Sequence, residues 1–324
     1  MNATATPNPK QSGVIIRSMR EEDLPAADRV MRLAFGTFVG LPDPMKFMGD
    51  ADYVRTRWLA DPAAAFTAEA DGDLVGSNFA TRWGSVGFFG PLTIRPDLWD
   101  RGIAQLLLGP TMDLFDSWQV RHAGLFTFAT SAKHVGLYQK FGFWPRFLTT
   151  LMELPIGVEN TDVRWIRYSQ LAPGEKQACL QACKELTSSI FDGLDVSREI
   201  NAADEQQLGD TLLIWDKGQL AGLAVCHVGP GTEAGSGKCY VKFGAVRCGP
   251  AAKTEFRRLL NACRAYAATR GVTKLQAGVN LARLEAYQEM LQSGFRTAMQ
   301  GVVMERGAEP GYNRPEVFLI DDWR

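Results

Sequence analysis

The sequence predicts an α+β fold that is built twice in tandem, and three observations carry that expectation. Strand-like runs alternate with amphipathic helical segments over residues 14–320 of the 324. Two glycine hairpins align, Gly72-Asp73-Leu74-Val75-Gly76 beside Gly218-Gln219-Leu220-Ala221-Gly222. A helical segment ends in Gly-Phe in each half, at Gly142-Phe143 and at Gly294-Phe295. A repeat of roughly 150 residues is a whole-domain duplication rather than a solenoid. The expected division is a first domain over 14–157 and a second over 158–324. Residues 1–13, polar and proline-bearing, are expected to form a disordered tail.

The first half opens with a strand over 14–19. Glu21-Glu22-Asp23 and Pro25 suit a first helical turn, and a helix over 24–35 carries apolar Leu24, Ala27, Val30, Met31, Ala34 and Phe35 on its face. Gly36, Gly40, Pro42 and Pro44 break it. The loop that follows holds Phe38, Val39, Leu41, Met45, Phe47 and Met48. A helix is expected over 50–59. Strands over 65–70 and 74–83 flank Asp71-Gly72, a hairpin signal. Next come a strand over 87–94, a helix from about Gln105 to Val120, a strand over 125–130, a short helix and a closing strand over 147–154. Pro155 and Gly157 mark the boundary.

The same order returns in the second half. Strands are expected over 163–168, 211–215, 220–228, 240–247 and 274–279, with helices over 175–191, 254–270 and 282–292. Segments 302–305 and 317–320 close it.

Composition narrows the function classes. A net charge of −1, with no basic run interleaved with aromatics, gives no reason to expect nucleic acid or an anionic membrane as partner. No apolar stretch has the length needed to span a bilayer. The first residues lack the apolar core of a secretory signal. The six cysteines, Cys179, Cys183, Cys226, Cys239, Cys248 and Cys263, contain no C-x-x-C. They read as reduced thiols of a cytoplasmic protein. No His/Cys/Asp cluster has metal-ligand spacing, so no metal is expected.

The stretch Trp99-Asp100-Arg101-Gly102-Ile103-Ala104 stands between a strand and a long helix. Gly102 and Ala104 carry almost no side chain, so backbone N–H groups there can approach a ligand closely. A helix start offers unpaired donors and partial positive charge, which suits phosphate. The loop is neither a Walker A loop nor a dinucleotide fingerprint. By itself it is also a plain strand-to-helix turn.

Three pieces in order resemble the GNAT family of acyl-CoA-dependent N-acetyltransferases. Ile94-Arg95-Pro96 corresponds to the V-x-P that ends the family's fourth strand. Trp99 to Ala104 corresponds to its [RQ]-x-x-G-x-[GA] loop, with Trp99 where the family usually has Arg or Gln. Leu137 to Phe143 corresponds to L-Y-x-K-x-G-F. The resemblance covers roughly residues 14 to 155. It implies a mixed, largely antiparallel sheet flanked by helices, and acetyl-CoA as the acyl donor.

The resemblance also implies roles. Pyrophosphate would rest on the backbone of Trp99, Asp100, Arg101, Gly102, Ile103, Ala104 and Gln105. The pantetheine arm lies in the family between two splayed strands and pairs with the earlier one, here at Leu92, Thr93 and Ile94. An N–H there can donate to the oxyanion. Ser131 stands near the family's asparagine position; it is equally readable as a strand-end cap. Tyr138 occupies the general-acid position, with a packing role as the alternative. A coenzyme A thiol near pKa ~8.5 and a tyrosine near ~10 leave the hydroxyl protonated at neutral pH. His134 reads as a surface residue.

The general base is not legible. Glu69 and Asp43 are candidates with structural alternatives. Arg82 and Trp83 are placed to shape an acceptor site. The apolar loop 38–48 either lines that site or packs between the two halves. The second half has Arg247-Cys248-Gly249-Pro250-Ala251-Ala252-Lys253 at the loop position, where Pro250 removes a donor, and Met290 in place of Tyr138, with Tyr287 one turn earlier as the alternative. It is expected to share the fold and to bind the cofactor poorly. The expected function is transfer of an acetyl group to a primary amine of a small molecule by a monomer or homodimer. A non-catalytic acyl-CoA sensor is the alternative. No acidic groove for a lysine-rich tail is evident, which favours a small acceptor over a protein.

Overall fold

The computed structural model describes residues 13–157, 163–307 and 309–324. The expected tail therefore lies, but for Gly13, outside the described residues. In chain order the elements are β1 (Val14–Ser18), α1 (Leu24–Phe38), α2 (Val54–Ala60), β2 (Ala65–Ala70), β3 (Asp73–Trp83), β4 (Val86–Phe89), β5 (Thr93–Ile94) and α3 (Ile103–Ser117). These are followed by β6 (His122–Thr127), α4 (Ala132–Gln139), β7 (Phe143–Pro155), β8 (Ile166–Arg167), α5 (Pro173–Ile190), α6 (Ser197–Glu205), β9 (Gly209–Asp216) and β10 (Gln219–Gly229). The last are β11 (Gly235–Val246), α7 (Ala252–Thr269), β12 (Lys274–Asn280), α8 (Leu284–Gln292), β13 (Arg296–Arg306) and β14 (Leu319–Ile320).

Among the described residues the chain forms two compact units. One comprises Met1–Gly49, Tyr53–Thr81 and Phe89–Trp118; the other comprises Asp50–Asp52, Arg82–Phe88 and Gln119–Arg324.

In the first unit β2 pairs antiparallel with both β1 and β3, and β5 pairs antiparallel with β3. The β2–β3 turn uses Asp71 and Gly72 at φ 53° and 84°, the pair of positive values that a tight hairpin requires. Helix α1 buries Leu24, Ala27, Val30, Met31 and Ala34, the stripe read from the sequence, and runs on to Phe38. Ala68, Val75, Ile94, Ile103 and Leu107 form a core between β-strands and α3. Gly76 is required there: a Cβ would collide with Ile94 Cδ1 and Thr93 O and press on Leu107. The second helix is shorter than expected, Val54–Ala60. The single strand expected over 87–94 is two pieces, β4 and β5, separated by Gly90-Pro91-Leu92.

In the second unit the strand order is β4-β6-β13-β7-β12-β11-β10-β9-β8, with β14 on β11. The pairings of β4 with β6 and of β11 with β12 are parallel. The remaining pairings in this order, and that of β14 with β11, are antiparallel. The two closing strands do not close their own halves alone. Strand β13 lies beside β6 through Val302↔Thr127 to Arg306↔Ala123. Strand β7 lies beside β12 through Lys274↔Pro155 to Asn280↔Thr149. Each thus satisfies the backbone of an edge contributed by the other half, and β7 and β13 pair with each other. Local sequence does not distinguish these partners, because any antiparallel edge satisfies the same N–H and C=O groups.

Two buried clusters cover the sheet of this unit. Helices α7 and α8 pack Phe256, Leu259, Leu260, Cys263 and Met290 against β12 and its neighbours. Helices α5 and α6 pack Cys183, Leu186, Ile190 and Ile200 with Trp83, Phe88 and Phe243. Helix α6 has no counterpart among the elements expected from the sequence.

Candidate functional site

The loop 99–105 belongs to the first unit. Asp100 and Gly102 both adopt positive φ, 63° and 81°, and Gly102 is the N-cap of α3. The left-handed turn explains why glycine stands at 102. The helix has no capping side chain, and the first N–H groups of a helix lack an i−4 acceptor within it. Gln105 N–H already donates to Gly102 O at 3.1 Å, which tightens the first turn. Trp99, where the resemblance implies Arg or Gln, donates its indole N–H to Ile94 O at 2.8 Å. The ring thereby ties the loop to the end of β5. Thr93 is buried and its hydroxyl shares a hydrogen bond of 3.1 Å with Ser77. Pairings Gly76↔Ile94 and Ser77↔Thr93 hold one side of β5 on β3. Leu92 precedes β5 and packs against the core that holds Ile94. Arg95 is engaged with Asp97 (2.8 Å) and Asp73 (3.5 Å), so its charge serves the loop base.

Tyr138 and Ser131 belong to the second unit. The parallel ladder of β4 and β6 is three pairs long and ends at Phe88↔Gly124. Beyond it, β6 runs on to Thr127 and leads to Ser131, the N-cap of α4. Ser131 Oγ accepts from His134 N–H at 3.4 Å, the capping role that is the alternative to ligand binding. Tyr138 is buried on α4. Burial pushes its hydroxyl well above the ordinary tyrosine range, and a hydrogen bond with Thr127 offsets part of that. The phenol is therefore neutral at neutral pH and keeps a proton to donate. Burial, with Lys133 nearby, lowers the pKa of the half-buried His134.

Other candidates have structural roles. Glu69 accepts from Arg17 Nε at 3.0 Å, and Asp43 caps a short 3-10 turn by accepting from Met45 N–H at 3.2 Å. Trp83 does not border an open site: it is 1% exposed, in edge contact with Phe88 and Phe243. Its indole N–H donates to the buried Glu199 at 3.1 Å, and Glu199 in turn faces Lys242, which lies 2.5 Å from Glu233. An alternating strand pattern marks the face but not which face is core, which is why the sequence misplaced Trp83. Arg82 donates to Gly84 O. In the apolar loop, Phe38, Val39, Leu41 and Met45 are exposed, whereas Phe47 stacks on Phe35 at 5.2 Å.

The corresponding loop of the second half begins α7 at Ala252 with Ala251 as N-cap. Ala252 N–H is turned inward to Gly249 O (3.0 Å), and Pro250 has none to offer. Met290, the counterpart of Tyr138, is fully buried. Among the described residues no group of three or more His, Cys, Asp or Glu could hold a metal ion, and no helix is long and apolar enough to cross a membrane.

Residues 28–143 match the model of the acetyltransferase (GNAT) family. A protein of Pyrococcus horikoshii, provisionally described as an acetyltransferase, shares 14% identity over 98% of this chain and 97% of that one, with a TM-score of 0.69. A GCN5-related N-acetyltransferase of Sphaerobacter thermophilus shares 14% over 94% and 98%, with a TM-score of 0.58. A GCN5-related glucosamine N-acetyltransferase region of a fungal multi-domain GH3 β-N-acetylglucosaminidase shares 14% over 94% of this chain and 39% of that one, with a TM-score of 0.62. No curated protein matches the chain. At these identities the structural likeness shows the fold. The chain has the α+β fold of GCN5-related N-acetyltransferases, a mixed sheet with flanking helices.

Proposed function

We propose that the chain is a tandem GNAT-type N-acetyltransferase that takes acetyl-CoA as donor and a primary amine of a small molecule as acceptor. The observation that carries the reading is the loop 99–105: a left-handed Gly102 at the N-cap of a long helix, with no side-chain cap. Domains over 14–157 and 158–324 are part of the same proposal. The first holds the donor; the second is a degenerate copy.

The residues present suit a thioester donor. Gly102 leaves room for phosphate oxygens at the mouth of α3, where helix-end donors and dipole favour an anion. The backbone of Leu92, Thr93 and Ile94 supplies the strand edge that pairs with the pantetheine amides. In the transfer, the neutral amine adds to the thioester carbonyl, forming the C–N bond. The tetrahedral oxyanion accepts a hydrogen bond from a backbone N–H of this strand. The intermediate collapses with cleavage of C–S, and Tyr138 Oη gives its proton to the leaving sulfur. The nitrogen loses its extra proton to solvent, and solvent returns a proton to Tyr138, so amine and thioester become amide and free thiol with the phenol restored. Because burial holds Tyr138 neutral, its donation counts only as negative charge develops on sulfur. Ser131 Oγ accepts from His134 N–H, and in this reading its own O–H remains to donate to a carbonyl of the arm.

The test is release of free thiol from acetyl-CoA by the purified chain across a panel of small primary amines. Amine-dependent release matched by N-acetylated product supports the proposal. Tight donor binding with no amine-dependent release supports the sensor reading instead.

A further inference from the structure

The edge assigned to the donor arm has a counterpart in the second half, and that counterpart is filled. The hairpin glycines align Gly76 with Gly222. Gly76 pairs with Ile94 on β5, and Gly222 pairs with Val246 on β11. The agreement extends to the hydrogen bonds just beyond: Arg95 N–H donates to Val75 O at 2.8 Å, and Arg247 N–H to Ala221 O at 2.9 Å. By this register Gly244, Ala245 and Val246 are the counterparts of Leu92, Thr93 and Ile94.

Strand β11 leaves its parallel partner β12 after Val241. The edge so released is taken by β14, through Gly244↔Ile320 and Ala245↔Leu319. Val246 N–H donates to Phe318 O at 3.2 Å. The segment is then carried over β12, where Gly278 makes room: a Cβ there would collide with the Asp322 side chain. Its polar groups are met one by one. Arg283 donates to Asp321 Oδ1 (2.5 Å), Tyr312 donates to Asp321 Oδ2 (2.5 Å), and Tyr240 donates to Asp322 Oδ1 (2.9 Å). Leu319 and Ile320 are 0% exposed. At the far end Trp323 donates to Tyr312 Oη (2.8 Å), stacks on Phe88 at 6.1 Å, and lies where a Cβ on Gly124 would be. Phe88 and Gly124 are the last pair of the β4–β6 ladder.

We propose that Val317–Trp323 is an internal stand-in for the acyl-CoA arm in the second half, which is thereby a permanently occupied copy. This rests on the assignment of Leu92–Ile94 to the donor arm. Loss of the donor site in the second half then has two independent causes, the proline in the phosphate loop and a strand of the same chain on the arm's edge. The second cause predicts that even a ligand lacking phosphate finds no room there. The degenerate half also gains a structural role, because the anchored segment holds Trp323 against the fork of β4 and β6.

Amide hydrogen exchange on the full chain tests this with two probes, coenzyme A and pantetheine, each at saturation. The expected result is slow exchange over 317–322 without any probe, protection of 92–95 by both probes, and no change over 243–247 or 317–322. Protection of 243–247 by pantetheine, or faster exchange over 317–322 in its presence, overturns the proposal. Asp321→Asn, which weakens the Arg283 pair, is expected to speed exchange over 317–322 while coenzyme A still protects 92–95. Unchanged exchange over 317–322 in that variant also overturns it. If neither probe protects 92–95, the acyl-CoA reading itself fails, and the Asp321→Asn comparison still judges how the segment is anchored.

Discussion

Thr149 and Gly301 pair with each other across β7 and β13. The offset that carries Gly142-Phe143 onto Gly294-Phe295 also carries Thr149 onto Gly301. The two strands therefore meet at positions that the proposed duplication makes equivalent. Gly301 also permits the approach of β13 to β6 on its other side, since a Cβ would strike the Phe126 ring and Thr127 O. The pairing is the point at which the two halves trade their closing strands.

A fragment ending at residue 157 loses both β12 and β13, the neighbours of β7, and leaves β6 with an open edge. Unpaired strand edges and the apolar surface beneath them favour association. The fragment is expected to aggregate or dimerise, with loss of cooperative melting, in gel filtration and thermal denaturation. A monomeric, soluble fragment with full donor binding contradicts the strand exchange as a stability element.

Tyr138→Phe keeps the ring and removes the proton. Under the proposed mechanism donor affinity changes little and turnover falls by roughly 10²-fold, the ordinary scale of general acid catalysis. The loss belongs in kcat, because the hydrogen bond strengthens only as sulfur gains charge. Steady-state thiol release with acetyl-CoA saturating checks this. Equal rates for wild type and variant across the pH range assign Tyr138 to packing.

Trp323→Ala removes a large ring from among Phe88, Tyr312 and Gly124. Truncation of a buried aromatic costs about 3–5 kcal/mol. Gly124→Ala places a methyl group into the same ring and costs about 1–3 kcal/mol by overpacking. Denaturant unfolding of both variants is expected to show losses in this order. A near-neutral Gly124→Ala means that Trp323 does not rest on β6.

The Arg17 hydrogen bond is the largest influence holding Asp23 below the ordinary carboxylate range, through contacts of 2.6 and 2.9 Å. A carboxylate with a depressed folded pKa contributes stability that is present above its unfolded value, about 3.9, and is lost as pH falls through the folded value. Asp23→Asn is therefore expected to lower the melting temperature at pH 7, with the difference from wild type closing below pH ~4. A difference that stays constant down to acid pH contradicts the ion pair as its source.

Local chemistry makes much of the fold legible. Asp71-Gly72 and Lys217-Gly218 announce tight turns, and all four residues have positive φ. The stripe on α1 and the glycine at the mouth of α3 are readable for the same reason: each states a local backbone or facial requirement. The loop and the Tyr138 helix stand out because short spacings encode them. What is not legible is set by distant partners. The exchange of β7 and β13, the place of β14 on β11, and the inward turn of Trp83 toward Glu199 depend on which edges and faces are left unfilled elsewhere. Trp99 is an oddity in the sequence; the contact with Ile94 O gives it a role.

A single acyl-CoA site per chain, held by the loop 99–105, is tested most directly by calorimetric titration with acetyl-CoA. Wild type is expected to bind one equivalent. Gly102→Glu, which fills the turn and sets a carboxylate where phosphate would sit, is expected to abolish that binding while the melting transition stays cooperative. Two equivalents in the wild type, or undiminished binding by a folded Gly102→Glu variant, would contradict a single site held by this loop.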